Sequence, residues 1–430
     1  MTLNRRWFIG SAVMAAVRTR GVSAADKVNI AIMGVRGRGR ALAGAFAQLP
    51  DVHISTFCEV DPRVVAAASA VVEKSGRTAP KVETDLRRVL DDKSIDAIVV
   101  AAPDHWHAPA TILACQAGKD VYVEKPASHN LREGRLMVDA ARRHRRIVQL
   151  GTQGRSRAHV IEAVEYARSG RIGKVLAAKA WNVQLRDNIG HEADAPVPPG
   201  VDYEAWTGPA KLLPFNENRF HYKWHWHWNY GTGDIGNDGI HQIDIARWAL
   251  DVGAPLGAAG SAGKLFFDDD QQTPDTATVT FRYPENKTLI FEMRIWAPYG
   301  MEGVDNGVAV YGSQGMVQIG RWNRAAGWRV FDAKGKMVEQ HDEKAADGQG
   351  EGRGDGHARD FIDCIRSRKA PRAEIAIGHA STVHVHLANI VARTGRHTRF
   401  DPQGETIAGD AEANRLLRRE YRSHWAALKV

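Results

Sequence analysis

Four groups of residues in this chain have the types and spacing to do chemistry. The first is a glycine cluster, Gly34-Val35-Arg36-Gly37-Arg38-Gly39, set between an apolar run (Lys27 to Met33) and a helical pattern (Arg40 to Gln48). Glycines let a backbone approach a pyrophosphate, and a helix N-terminus offers unpaired N–H groups and a positive dipole end. Read as G-x-G-x-x-G, the motif uses positions 34, 36 and 39, with Arg36 in place of the middle glycine and Gly37 beside it. Arg36, Arg38 and Arg40 are either phosphate contacts or solvated surface charges. Glu59 follows Gly34 by 25 residues, near where an acid takes ribose hydroxyls. An acid there favours NAD, while the neighbouring arginines leave NADP open.

The second group is Glu124-Lys125-Pro126, at the end of a strand-like run from Asp120. A lysine in a partly dry site can have its pKa lowered and so exchange a proton with a neighbouring group; the alternative is a lysine capping a strand end. Proline fixes φ and a local turn. The third group is a stripe at helical spacing, Asn237, His241, Asp244 and Trp248, within Gly231 to Leu250. Ile240, Ile243, Ala246 and Leu250 form that helix's core face. The fourth is His221 to Tyr230, where Tyr222, Trp224, Trp226, Trp228 and Tyr230 alternate with polar residues. In an extended segment that alternation puts five aromatics on one face, suited to sugar C–H faces. The alternative is a packed aromatic hinge. His221, His225 and His227 on the opposite face, and the pair His105 and His107, lack support as metal ligands, and no metal is expected.

The elements that must hold these groups read as two domains, as 430 residues suggest. Strand, glycine turn and helix are followed by a second strand (Val52 to Phe57), a third βα unit through Thr84-Asp85-Leu86, and a buried strand from Ala97 to Ala102. From Thr276 the chain turns β-rich, with strands at Thr276 to Tyr283, Thr288 to Trp296, Val308 to Tyr311 and Met316 to Ile319, and a turn at Gly312-Ser313. Ala345 to Gly356 reads as a surface loop. Helices are expected over His357 to Arg366 and Ser381 to Arg393, the latter bringing His386 and Asn389 together.

The formal charge of +8 does not indicate nucleic acid. Four of the basic residues, Arg5, Arg6, Arg18 and Arg20, lie in the first 24 residues, and the densest remaining cluster, Arg142 to Arg146, closes a helix, where cations favour the dipole. Cys58, Cys115 and Cys364 are too few and too far apart for a disulfide framework.

The strand-end Glu124-Lys125-Pro126, with the glycine turn, Asp104-His105-Trp106-His107, Gln149 to Gln153 and Trp206-Thr207-Gly208-Pro209, resembles the Gfo/Idh/MocA dehydrogenases over nearly the whole chain. That resemblance implies an α/β fold: a Rossmann domain (residues 25–152), then a substrate and oligomerisation domain (153–430) with a large open, mostly antiparallel sheet. It implies hydride transfer between a sugar hydroxyl carbon and a tightly bound nicotinamide, with Lys125 and His241 catalytic. The cofactor would rest on Gly34, Arg36, Gly37, Arg38, Gly39, Glu59, Pro103, Asp104, His107, Glu124, Lys125 and Gln153. The sugar or glycoside would meet Trp224, Trp226, Tyr230 and His241. The chain departs from the family at Asn237, where an Asp four residues before the His is the pattern; Asp238, Asp244 or Asp234 are the candidates to replace it. Relatives that cleave glycosides without net redox change offer a second reading, and a silent sugar-binding protein a third. A homodimer or homotetramer is the family expectation.

Arg5-Arg6-Trp7-Phe8, a short apolar run from Ile9 to Val17 and Val22-Ser23-Ala24 resemble a twin-arginine export signal over residues 1–24, which implies a periplasmic or otherwise extracytoplasmic mature protein. The run is too short to span a bilayer, and no other segment is expected to cross one. An exported enzyme has no free nicotinamide pool, so the cofactor would stay bound.

Overall fold

The computed structural model describes residues 27–343 and 355–422. The expected export signal lies outside the described residues, as does the expected loop from Ala345, apart from Asp355 and Gly356, which open a helix.

The first layer alternates strand and helix: β1 Val28–Met33, α1 Gly37–Ala47, β2 Val52–Cys58, α2 Val65–Glu73, β3 Lys81–Glu83, α3 Leu86–Asp91, β4 Ala97–Val100, α4 Asp104–Gln116, β5 Asp120–Val123, α5 Leu131–Arg143 and β6 Val148–Leu150. The six strands pair in parallel in the order β3-β2-β1-β4-β5-β6. All four residues of β4 are fully buried, as an apolar strand covered on both faces must be. The order reverses between β1 and β4, and the crevice beyond those strand ends is where such sheets bind ligands. Arg142 and Arg143 do sit in the last turn of α5, and the three cysteines are buried free thiols.

The second layer contains α6 Ala158–Arg168, β7 Val175–Val183, α7 Tyr203–Thr207, α8 Ile240–Leu250, β8 Gly257–Gly263, β9 Thr276–Arg282, β10 Thr288–Arg294, β11 Asn306–Gly312, β12 Gly315–Trp322, β13 Ala325–Asp332, β14 Met337–Asp342, α9 Asp355–Ser367, α10 Ile375–Thr394, β15 Thr398–Asp401 and β16 Thr406–Ile407. Its ten strands run β14-β13-β12-β11-β7-β10-β9-β8-β15-β16. β7 and β10 pair in parallel, and the neighbours on either side pair antiparallel. The four strands expected after Thr276 are β9 to β12, and Ser313-Gln314 turns β11 into β12. β7 and β8, before Thr276, and β13 and β14 were not anticipated. Ile240, Ile243, Ala246 and Leu250 of α8 pack into one apolar core with Phe291, Met293 and Val310 of the sheet.

Two helices tie the layers together. Phe361 of α9 packs edge-on against Phe46 and Tyr122 of the first layer, at 6.3 and 5.9 Å between ring centroids. α10, at 20 residues, is long and apolar enough to cross a membrane by length and composition alone, but 78% of its apolar window is buried in the core.

Candidate active site

A cavity of about 1220 Å3 opens between the two layers. At one end lies the glycine turn. Gly34 has φ of +78°, and a Cβ there would sit 2.9 Å from the Ala101 carbonyl oxygen and the Ala102 nitrogen. A Cβ on Gly39 would fall 1.7 Å from the Gly34 carbonyl oxygen, so Gly39 lets α1 seat against the turn rather than lining the cavity. Gly37 faces open space. α1 starts at Gly37 with no side chain capping its first amides, which leaves donors for an anion. Glu59, just past β2, accepts from the amides of Val35 (2.8 Å), Val60 (2.8 Å) and Asp61 (2.9 Å), which fix its carboxylate beside the turn. Burial raises the Glu59 carboxyl above its ordinary range, against the pull of those amides. Glycines without room for a Cβ, uncapped helix amides and a fixed acid are the features a dinucleotide needs, so the residues present fit NAD.

The strand-end tripeptide lies deeper. The Lys125-Pro126 bond is cis. Glu124 pairs with Arg38 at 2.7 Å and accepts from Gln153 Nε2 at 3.2 Å. Burial pushes the Glu124 carboxyl up, but Arg38 and Lys125 outweigh it and hold it at about 2. Gly151 makes the room, since a Cβ there would come within 2.7 Å of Glu124 Oε1. His107 braces the tripeptide from below, with its ring nitrogens 2.7 Å from the Pro126 carbonyl oxygen and 2.9 Å from that of Ala102. Asp104, at the start of α4, accepts from Thr232 Oγ1 at 2.7 Å. Burial lifts its carboxyl to about 7, opposed by that hydroxyl and by Lys125. Pro103 lines the wall beside it.

Lys125 reaches across to the second layer. Its ammonium donates to Asn237 Oδ1 at 2.9 Å and to the Asn237 carbonyl oxygen. Asn237 in turn donates through Nδ2 to Asp234 Oδ1 at 3.0 Å. Asn237 and Asp238 sit in a π-turn, Ile235–Gly239, that runs into α8. Glycines let this wide turn seat tightly: a Cβ on Gly236 would strike Thr232 Oγ1 at 2.0 Å, and one on Gly239 the Phe291 ring at 2.5 Å. Asp234, fully buried, also accepts from Asn182 (2.8 Å) and Arg186 (3.1 Å), and Asp238 accepts from Gln184 and Arg186. Burial pushes both carboxyls up. In Asp234 it wins, aided by Asp238, while Lys125 and Arg186 keep Asp238 below its ordinary value. His241 lines the cavity one turn on. Burial, then the Lys125 charge, lowers its imidazole to about 4 against the pull of Asp238 and Glu124. It is therefore neutral near pH 7 and able to accept a proton.

Of the residues singled out in the sequence, Gly34, Arg36, Gly37, Arg38, Glu59, Pro103, Asp104, His107, Glu124, Lys125, Gln153, Trp224, Asn237, Asp238 and His241 meet around this one cavity. Asp244 does not. It points away from the cavity into a buried ion pair with Arg155, at 2.8 Å through both carboxylate oxygens, and accepts from Ser381 at 2.6 Å. The aromatic segment is not extended: His221–Trp226 is a tight 3-10 helix entered through a left-handed His221, φ +42°. Its rings therefore spread in several directions. Trp226 is buried in the core beneath α8, and Tyr230 is buried among Tyr203, Trp206, Phe215 and Phe220. Only Tyr222 and Trp224 of the five reach the cavity, with Trp224 stacked on His225 at 3.6 Å. His386 and Asn389 lie on α10 away from it. Gln184 and Arg186, just past β7, were missed, because neither sits in a motif and only the sheet brings them to Asp238.

Comparison with known proteins follows the same division. Residues 28–152 match the oxidoreductase family with the NAD-binding Rossmann fold, 212–318 a Gfo/Idh/MocA C-terminal domain, and 351–427 the family's C-terminal alpha/beta domain. A glycosyl hydrolase family 109 protein of Stenotrophomonas maltophilia is 31% identical over 142 residues, 30% of this chain and 31% of that protein. Another, from Saccharopolyspora erythraea, is 31% identical over 168 residues, 38% and 36% of the two chains. The chain thus matches about a third of the length of these curated relatives. Among solved structures, a levoglucosan dehydrogenase in complex with NADH and levoglucosan superposes with a TM-score of 0.67 at 19% identity, over 86% of this chain and 98% of that one. The aldose-aldose oxidoreductase of Caulobacter crescentus gives 0.64 at 19%, over 87% and 100%. Matched in both layers, this chain belongs to the Gfo/Idh/MocA family of oxidoreductases.

Proposed function

We propose that this protein is an NAD-dependent oxidoreductase acting on a hydroxyl carbon of a sugar or sugar derivative. The observation that carries the reading is the convergence of Lys125, Asn237, Asp238 and His241 from both layers into the cavity whose other end is the glycine turn. Bound there, a nicotinamide would supply the hydride acceptor or donor. Gly34, Gly37 and the first amides of α1 would hold its pyrophosphate, Glu59 its adenosine ribose, and Glu124 and Lys125 would border its reactive end. NADP remains the alternative cofactor, since Arg36 and Arg38 stand beside the turn. Neutral His241 takes the hydroxyl proton. Lys125, fixed by Asn237, donates a hydrogen bond to the developing oxyanion. Tyr222 and Trp224 border the sugar.

The glycosyl hydrolase family 109 relatives favour a second reading, glycoside cleavage through transient oxidation and re-reduction of the sugar. The same proton-handling groups serve it, and a permanently bound cofactor suits it. The Arg5-Arg6 segment supports export with the cofactor already loaded, and exposed Leu265, Phe266 and Tyr299 support assembly as a homodimer or homotetramer.

The test is turnover on panels of free sugars and aryl glycosides. Absorbance of reduced nicotinamide that rises with sugar supports the first reading; release of the aglycone without net reduction supports the second. Lys125→Ala and His241→Ala should each lower kcat by roughly 10²–10⁴-fold while leaving nicotinamide affinity nearly unchanged. Full turnover in either variant would remove the assignment.

A further inference from the structure

Residues 198–230, between β7 and α8, belong to neither sheet. They fold around a small aromatic core of their own, in which the Trp206 ring lies 5.0 Å from Phe220 and 4.8 Å from Tyr230 between centroids. This unit is fixed to the first layer at two places. One is the start of α4, just past β4. There Trp106 Nε1 donates to the Trp206 carbonyl oxygen at 2.9 Å, and the His105 amide donates to that of Tyr230 at 3.1 Å. Gly208 makes the close approach possible, since a Cβ on it would strike the Trp106 ring at 2.2 Å. The other place lies just past β2. There the Asp202 amide donates to the Val60 carbonyl oxygen at 3.0 Å, and His221 Nε2 donates to Asp61 at 2.7 Å.

β1 runs between β2 and β4 in the parallel sheet. A segment fixed beyond both of these neighbours therefore crosses the end of β1, where the glycine turn stands. The large cavity reports the same arrangement, because Gly34, Arg36 and Gly37 line it together with Asp202, Ala205, Trp206 and His221. The second layer thus supplies an outer wall to the crevice of the first.

The two fastenings differ in kind. The one at α4 is aromatic and buried, through Trp106, Trp206 and Tyr230. The one past β2 is polar, and its His221 side chain is 22% exposed. His221 also takes a left-handed φ of +42°, which costs a residue with a side chain free energy that its bond to the carboxylate offsets. Asp61 does not depend on that bond. Arg63 donates to both of its oxygens at 2.8 Å, and the Arg63 amide donates to Oδ1 at 3.0 Å. Parting His221 from Asp61 therefore releases backbone strain and leaves no buried carboxylate unpaired, while the α4 end stays in place.

We propose that residues 198–230 are a strap across the dinucleotide site, anchored at α4 and latched by His221 on Asp61, which must lift for the cofactor to enter or leave. The proposal rests on the dinucleotide reading above and adds to it the element that governs exchange of the cofactor.

The test follows NAD itself on the full chain. Protein loaded with isotope-labelled NAD is mixed with excess unlabelled NAD, and the label it retains is read by mass spectrometry, which gives the dissociation rate. Association with the cofactor-free chain is followed by tryptophan fluorescence. His221→Gly removes the latch, and glycine takes the left-handed φ without strain. Loss of one charge-assisted hydrogen bond should speed dissociation by about tenfold or more. Association should speed up as well, because entry and exit use the same opening, so Kd changes less than the dissociation rate. In the unsubstituted chain, NAD should slow hydrogen exchange of the Asp202 amide at the latched end. Unchanged rates in a folded His221→Gly, faster dissociation without faster association, or an Asp202 amide that NAD leaves unchanged would overturn the strap. A chain that binds NAD and gives any of these results loses the strap alone; one that binds no dinucleotide loses the oxidoreductase reading with it.

Discussion

Asn237 stands where the family pattern has an acid, and its surroundings show how the chain accommodates the change. The amide bridges a cation and a carboxylate, accepting from Lys125 and donating to Asp234. A carboxylate at this position would face the Asp234 oxygen now 3.0 Å from Asn237 Nδ2, with no hydrogen between them. Asn237→Asp should therefore destabilise the protein by about 1–3 kcal/mol at neutral pH rather than restore a missing function. One of the two carboxyls would carry a raised folded-state pKa. The penalty is thus absent below the unfolded carboxyl range and complete once pH exceeds that raised value. Denaturant midpoints measured across pH 4 to 8 check both magnitude and sign. His241 gives a second residue-scale expectation. With its imidazole lowered to about 4 from 6.5, the acid limb of kcat/KM should fall near pH 4 and not near 6.5. A limb near 6.5 would assign the proton transfer to another group.

At the scale of elements, local signals were legible and long-range ones were not. The strand, glycine turn and helix from Lys27 to Ala47 follow from a short apolar run and glycines whose Cβ would collide, features that lie within one stretch of chain. The core face of α8 follows from its helical spacing. The aromatic alternation of Tyr222 to Tyr230 imitated a strand, but a left-handed His221 and a 3-10 turn redirect each ring, and alternation cannot report either. Asp244 shares the stripe with His241, yet Arg155, 89 residues away, draws it into a buried ion pair, and the cavity receives Asp238 through the π-turn instead. The pair is nearly solvent-free, with side chains 6% and 1% exposed. Asp244→Ala leaves the Arg155 charge buried without its carboxylate and should cost about 3–5 kcal/mol of stability. Urea or guanidinium unfolding reads that loss. A loss of turnover with unchanged stability would instead make Asp244 a participant in the reaction.

At the scale of the whole molecule, the groups proposed to react come from both layers. Glu124 and Lys125 follow the end of a strand of the parallel sheet, while Asn237 and Asp238 enter on the π-turn, and His241 on the helix it leads into, packed over the ten-stranded sheet. α9 and α10, late in the chain, pack back on the first layer and hold the two in register. The cavity therefore has one end built by the glycine turn of the first layer and another completed by Asn237, Asp238 and His241 of the second. The most direct test is to purify the full chain, denature it, and identify the released dinucleotide by mass spectrometry. Stoichiometric NAD or NADH is the expected result. A protein that releases none and binds neither added NAD nor NADP would contradict the account, and the roles given to Lys125 and His241 would lose their basis.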